Sequence, residues 1–336
     1  MKTKIITFLI SIFLIFSSVS TTHAQSETFT FTAVGDFGND RGSTSNFTKL
    51  IKRMGQEQPA FNVALGDFLY SNTISEVTPW CDHVKQSLNL GAGKVASDPY
   101  GLNFPFELIA GNHDTGESNA DIITITNSIR NCLPHRINNI TESDAAKKGT
   151  PSSSYAIEYY FDYPSTSNPI ARVILISPDL FGWSYAKGTS NYNFVKNSIL
   201  DGRSKNIPWI IVGQHKNCIT NGVKTCEYNQ DLMNLMAGKD LGPNGTQGDP
   251  VDLVLEGHEH SYHRSKQLKT NTSTCASIQV GGYNANCVTN PGPTNYSKGI
   301  GKIISIIGTG GVSIRSISGA SDSEAGYFAA WMGSNV

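Results

Sequence analysis

After an opening apolar run, Ile5 to Phe16, the hydrophobic positions fall into short stretches separated by Gly-, Asn- and Ser-rich turns. Thr28 to Val34 alternates polar and apolar residues and is rich in β-formers, which predicts a strand ending at Gly35-Asp36-Phe37-Gly38-Asn39. Ser45 to Met54 has helical spacing. Phe61 to Leu65 reads as a buried strand ending at Gly66-Asp67-Phe68-Leu69-Tyr70. This β-α-β order implies a parallel pair with a right-handed crossover. Residues 71 to 104 show weak periodicity and read as a long loop with a short helix near Trp80 to Leu88.

Phe106 to Ala110 predicts a third strand, ending at Gly111-Asn112-His113-Asp114, with a helix over Ala120 to Arg130 and a polar loop from Asn138 to Ser154. Tyr155 to Tyr163 and Ala171 to Ser177 are close enough to form an antiparallel hairpin. A helix around Phe194 to Leu200 precedes a strand, Trp209 to Val212, that runs into Gly213-Gln214-His215, and Tyr228 to Met236 is helical. The apolar run Val251 to Leu255 leads into Glu256-Gly257-His258-Glu259-His260. Ser261 to Leu268, Ala276 to Val280 and Lys302 to Ile307 are further strands, the last closed by Gly308-Thr309-Gly310-Gly311. With no internal repeat and no heptads, the pattern predicts one α/β domain in which two β-sheets pack together under outer helices.

Lys2 and Lys4, the apolar run and the small residues of Ser17 to Ala24 have the layout of a secretory signal peptide, with Thr22-His23-Ala24 as the cleavage site before Gln25. The run is about a dozen residues, against the ~18 or more of a spanning helix. Residues 25–336 are therefore expected to form one large α/β domain, soluble and outside the cytoplasm, with no stable membrane span after cleavage. The 26 basic and 27 acidic side chains give a formal charge of −1, or −3 without Lys2 and Lys4. That balance offers no surface for nucleic acid or an anionic membrane. Six cysteines in an exported chain favour disulfides. Cys218 with Cys226 and Cys275 with Cys287 are near enough to staple local loops, leaving Cys81 for Cys132. Asn46, Asn139, Asn244, Asn271 and Asn295 each begin a glycosylation sequon.

Five predicted strands, ending near residues 34, 65, 110, 212 and 256, deliver oxygen or imidazole donors within a few residues of their ends. Ligands of α/β sheets gather beyond the carboxyl ends of parallel strands, so the five deliveries are expected to make one site. Asp36 and Asp67 are hard anionic oxygens, Asn112 a neutral oxygen, Tyr70 a phenolate donor, and His215, His258 and His260 borderline nitrogens. Such a set suits two first-row metal ions sharing a bridging carboxylate. On irregular backbone beyond a strand, His258 and His260 can reach two different ions, whereas on a regular strand they would share one face.

The five blocks resemble, in order, those of the purple acid phosphatases of the calcineurin-like metallophosphoesterase superfamily. They are GDxG at Gly35 to Gly38, GDxxY at Gly66 to Tyr70, GNH followed by an acid at Gly111 to Asp114, VxxH at Val212 to His215, and GHxH at Gly257 to His260. The resemblance implies a four-layer α/β/β/α sandwich of two mixed β-sheets flanked by helices. It implies an exported acid phosphatase hydrolysing phosphate monoesters of small molecules with a metal-bound hydroxide. Asp36, Tyr70 and His260 would hold the first metal, Fe(III). Asn112, His215 and His258 would hold the second, Fe(II), Zn(II) or Mn(II), with Asp67 bridging and His113 donating a proton to the leaving alkoxide.

Gly38 stands where other calcineurin-like phosphoesterases carry a ligating His, so Tyr70 takes that role. Asp114 reads either as an orienter of His113 or as a solvent-facing carboxylate. Lys216 and Asn217 read as pocket edge or ordinary loop, His263 as lying behind the ligands or at the rim, and His83 and His135 as surface or loop residues. The layout is that of the small single-domain class, and the chain stops at Tyr327 to Val336 where that family usually continues into further strands. The same motifs would serve a phosphodiesterase or nucleotidase. A pseudo-phosphatase scaffold would be expected to have lost ligands, and all seven are present.

Overall fold

The apolar runs of the N-terminal third form a parallel sheet. The computed structural model describes residues 28–71, 73–97, 105–114, 128, 136–143, 154–180, 182–292 and 294–336. In it β1 (Thr32–Val34), β2 (Asn62–Leu65) and β3 (Phe106–Ile109) pair in that order, all parallel. Val63, Ala64 and Leu65 have no exposed surface, as a sheet covered on both faces requires. One face is covered by α1 (Asn46–Glu57) and α2 (Val77–Gly91), which pack on each other. Ser45 caps α1, its Oγ accepting the Thr48 N–H at 3.1 Å.

The larger sheet has the order β13-β9-β12-β8-β7-β6-β5-β4. Its parallel centre is β6 (Ala171–Ile176), β7 (Trp209–Gln214), β8 (Leu253–Glu256) and β12 (Ile303–Ile307). Antiparallel strands flank it: β5 (Glu158–Tyr163) with β4 (Thr141–Glu142) on one side, and β9 (Tyr262–Ser265) with β13 (Phe328–Met332) on the other. Alternation along β6 divides the core. Val173 and Leu175 join the cluster shared with β2, α1 and α2. Ile174 and Ile176 face the opposite way, toward α3 (Ser190–Ser204) and α4 (Gln230–Met236), packed through Tyr192, Val195, Ile199, Leu232 and Met236. The layers are therefore helix, sheet, sheet, helix.

Strand β4 forms within the expected polar loop of Asn138 to Ser154, and three further expectations change. The short helix near Trp80 is the fifteen-residue α2, because Ser87 and Asn89 are buried beside its apolar positions and blur the pattern. Ser261 to Leu268 splits: β9 stays in the large sheet, while β10 (Gln267–Leu268) pairs with β11 (Val288–Asn290). Ala276 to Val280 is not a strand. Its Ile278 N–H donates to Asn234 Oδ1 at 2.9 Å and its Gln279 N–H to the Tyr327 hydroxyl at 3.1 Å, which leaves no ladder to join.

The Cys218–Cys226 and Cys275–Cys287 disulfides are formed, and Cys81 is also disulfide-bonded. The expected leader, nearly all of the expected helix at 120–130, Cys132 and His135 lie outside the described residues. No helix among the described residues is long and apolar enough to cross a membrane.

Candidate metal centre

Val34, Leu65, Ile109, Gln214 and Glu256 end β1, β2, β3, β7 and β8, and the loops that follow converge. The two sheets are tied at this edge: the Gly35 N–H donates to Ile307 O at 3.1 Å, and the Ala110 N–H to Ala156 O at 2.7 Å. Space is tight. A Cβ on Gly66 would lie 2.5 Å from Gly111 N, and one on Gly111 would lie 2.3 Å from Asp67 Oδ1, so only glycine lets these loops interleave. Asp36, Asp67 and His258 have φ of 64°, 54° and 67°, left-handed backbone that aims each side chain back into the convergence.

The donors fall into two groups. Ligating atoms of Asp67, His215 and His258 all lie within 4.8 Å of one another, and all three residues are buried. Leu65 O, which can only accept, lies 2.7 Å from His215 Nδ1 and therefore holds the ring proton there. Nε2 is left facing Asn112 Oδ1 at 3.0 Å, His258 Nδ1 at 3.2 Å and Asp67 Oδ1 at 3.3 Å. The His258 proton is likewise committed, since Nε2 lies 2.8 Å from Glu227 Oε2. Lone pairs thus converge on one another, an arrangement that fits a cation. Burial opposes a charge on His215, but the Asp67 carboxylate outweighs it and raises its pKa to about 9, so a proton or a metal is drawn to this point. Burial and the neighbouring His215 push His258 down to about 2, which keeps it neutral as a ligand must be.

The second group is Asp36, Tyr70 and His260. The Tyr70 hydroxyl lies 3.2 Å from Asp36 Oδ1 and 3.1 Å from His260 Nε2, itself 3.4 Å from Asp36 Oδ1. Burial, then the Asp36 and Asp67 carboxylates, raise the pKa of the Tyr70 phenol. Asp36 joins the groups through its Oδ2, which accepts the His258 N–H at 2.7 Å. Asp67 acts electrostatically on both His215 and Tyr70. All seven expected donors are therefore brought together, and His258 and His260 face different groups.

His113 stands beside them, half-buried, its N–H donating to Asp67 Oδ1 at 2.9 Å and its ring 4.5 Å from that of Tyr70. Asp114 takes neither expected role. Fully buried, it accepts the N–H groups of Asp67 and Gly111 at 2.7 Å and of Phe68 at 2.8 Å, tying the β2 loop to the β3 loop. Asn217 is fully buried and so is not a pocket edge. Lys216 reaches the Asp179 carbonyl at 3.3 Å. His263 sits inside the large sheet between Thr220 and Ser261, and His83 on α2 touches Thr48 Oγ1 at 2.8 Å. Glu227 carries no motif in the sequence. It belongs to none of the five blocks, and only the fold carries it to His258.

A family model for the calcineurin-like phosphoesterases matches residues 29–262. Among solved structures the chain is similar to the purple acid phosphatase PPD1 from yellow lupin (Lupinus luteus) seeds, at 17% identity and a TM-score of 0.61 over 92% of this chain and 48% of that one. It thus spans about half the length of the lupin protein. It is also similar to GAP50, the anchor in the inner membrane complex of Plasmodium, at 16% identity and a TM-score of 0.48 over 89% of this chain and 77% of that one. A third is the calcineurin-like phosphoesterase YfkN from Bacillus subtilis, at 13% identity and 0.38 over 82% and 80%. No match is found among curated proteins. The strand order, the converging loops and the match over residues 29–262 agree: the chain belongs to the calcineurin-like phosphoesterases.

Proposed function

We propose that this metal-dependent phosphoesterase is an exported acid phosphatase acting on small phosphate monoesters through a dinuclear centre. The observation that carries the reading is the division of seven donors into two facing groups joined by Asp67 and Asp36. Asp36, Tyr70 and His260 hold the first ion, whose hard oxygen donors suit Fe(III). Asn112, His215 and His258 hold the second, where neutral donors suit Fe(II), Zn(II) or Mn(II), and Asp67 serves both. When bound, the two ions polarise the phosphoryl group and lower the pKa of water beside it.

The protein's own groups do the rest. Leu65 O fixes the His215 tautomer, so that Nε2 points inward. Asp114 locks the β2 and β3 loops to each other, which holds Asp67 and Asn112 in register. His113 would pass a proton to the leaving alkoxide, a reading supported by its half-buried place on the Tyr70 ring beside the donors. The leader sequence and the disulfides support export. Metal-loaded protein is expected to hydrolyse p-nitrophenyl phosphate faster than its bis ester or nucleotides, with an acidic optimum. Turnover of the diester alone would replace this reading with a phosphodiesterase, and no turnover of any ester with both ions bound would replace it with a binding protein.

A further inference from the structure

Outside the converging strand ends, one loop reaches into the centre. It runs from His215 to Asn229 between β7 and α4, closed by the Cys218–Cys226 disulfide. Glu227, beside the disulfide, places Oε2 2.8 Å from His258 Nε2. A carboxylate only accepts, so this contact puts the imidazole proton on Nε2 and leaves Nδ1 unprotonated toward His215 and Asp67. Its other oxygen lies 3.4 Å from Lys224 Nζ, and its N–H donates to Asn217 O at 3.1 Å. An ordinary surface pair with Lys224 would account for Oε1 but not for Oε2.

The loop is gripped in return. Glu259, fully buried between His258 and His260, accepts the N–H groups of Val223 at 2.8 Å and Lys224 at 2.7 Å. A Cβ on Gly222 would lie 2.2 Å from the Glu259 carboxyl carbon, so the loop closes on that carboxylate only because residue 222 is glycine. Each side thus lends the other a carboxylate: Glu259 orders the loop backbone, and the loop presents Glu227 to His258.

We propose that Glu227 is a positioning residue for the second metal, fixing the tautomer and orientation of His258 from a disulfide-closed loop. The inference rests on the reading of His258 as a ligand of that ion. Partners of this kind raise the basicity of a ligating imidazole, and their loss typically weakens metal binding about 10- to 100-fold.

The test uses Zn(II) as probe, with affinity for each of the two ions measured by competition against a chromophoric chelator. Glu227→Ala is expected to weaken binding of one ion about 10- to 100-fold and leave the other unchanged. Glu227→Gln should fall between Ala and wild type, because its amide oxygen still accepts from Nε2 but carries no charge. A purely structural role would lower the melting temperature without this selective loss or the partial rescue. Wild-type affinity for both ions in both variants overturns the proposal. Should Glu227→Ala not fold by circular dichroism, the Gln variant decides alone: weaker binding of one ion supports the role, and binding within twofold of wild type removes it. His258→Ala separates the two levels. If it binds both ions normally, the ligand assignment itself is wrong; if it loses one ion while the Glu227 variants do not, only the role of Glu227 fails.

Discussion

Asp36, Asp67 and His258 all hold left-handed backbone, which costs roughly 1 kcal/mol or more each for a residue bearing a Cβ. The fold tolerates this where side chains must turn back over strand ends. Tyr70 shows the same subordination to the site: its phenol is pushed toward the protonated form by burial and by Asp36, so only a strong cation can hold it as phenolate. Oxidised, iron-loaded protein is therefore expected to be coloured by a ferric-phenolate band. Tyr70→Phe should abolish the band while iron stays bound, and a spectrum unchanged in that variant would exclude Tyr70 as a ligand. The role given to His113 makes a prediction that depends on the leaving group. His113→Asn should lower kcat by about 10²- to 10⁴-fold with an alkyl phosphate, whose alkoxide needs a proton. With p-nitrophenyl phosphate, whose phenolate leaves unaided, little change is expected. Equal losses on both substrates would assign His113 to binding instead.

Among the elements, those built on one face of contiguous residues were legible in the sequence. The Ser45 cap and the Phe47, Ile51 and Met54 spacing announce α1, and the strands that end in Gly-Asp, Gly-Asn-His, Gly-Gln-His or Gly-His-Glu-His announce the five loops. What escaped depends on side chains arriving from elsewhere. Asp114 reads as a loop acid until the β2 loop N–H groups close on it, and Ala276 to Val280 reads as a strand until Asn234 and Tyr327 take its N–H groups. Arg172 on β6 is of the same kind. Fully buried, it makes a two-pronged bond to Asp162 on β5 at 2.7 and 2.8 Å and reaches Asp201 on α3 at 2.6 Å. Arg172→Ala strands Asp162 in the interior and should cost about 3–5 kcal/mol by urea denaturation. Removing Asp162 as well, as a Leu pair, should recover part of it. On β9, burial depresses His263 from 6.5 to about 4. In that window the unfolded chain binds a proton that the folded chain refuses, so stability is fully present above pH 6.5 and declines as pH falls toward 4. The loss should be on the order of 3 kcal/mol and should shrink in His263→Asn; an unaltered pH slope in the variant would clear His263 of the effect.

At the scale of the whole molecule, the centre is where two sheets meet rather than an attachment to one. Asp36, Asp67 and Asn112 come from the loops of the small sheet, and His215, His258 and His260 from those of the large one. Hydrogen bonds join the two edges in front of the apolar core, among them Gly35 N–H to Ile307 O, Gly310 N–H to Gly35 O, Val312 N–H to Asp36 O and Ala110 N–H to Ala156 O. Carboxylates and imidazoles pressed together at that edge repel or compete for protons unless cations lie among them. An ion held by both halves favours the folded state over the unfolded one, in which the donors are scattered along the chain. At a free concentration of 100 Kd the stabilisation is about 2.7 kcal/mol per ion. Stripping the ions with a chelator should therefore lower the melting temperature by several degrees, and the fall should reverse on adding Zn(II) with a midpoint that rises with its concentration. His258→Ala should blunt the response by about one ion's share, whereas Arg172→Ala should lower the melting temperature with and without metal alike. A melting temperature that ignores both chelator and Zn(II) would mean that the two sheets are not joined through bound ions.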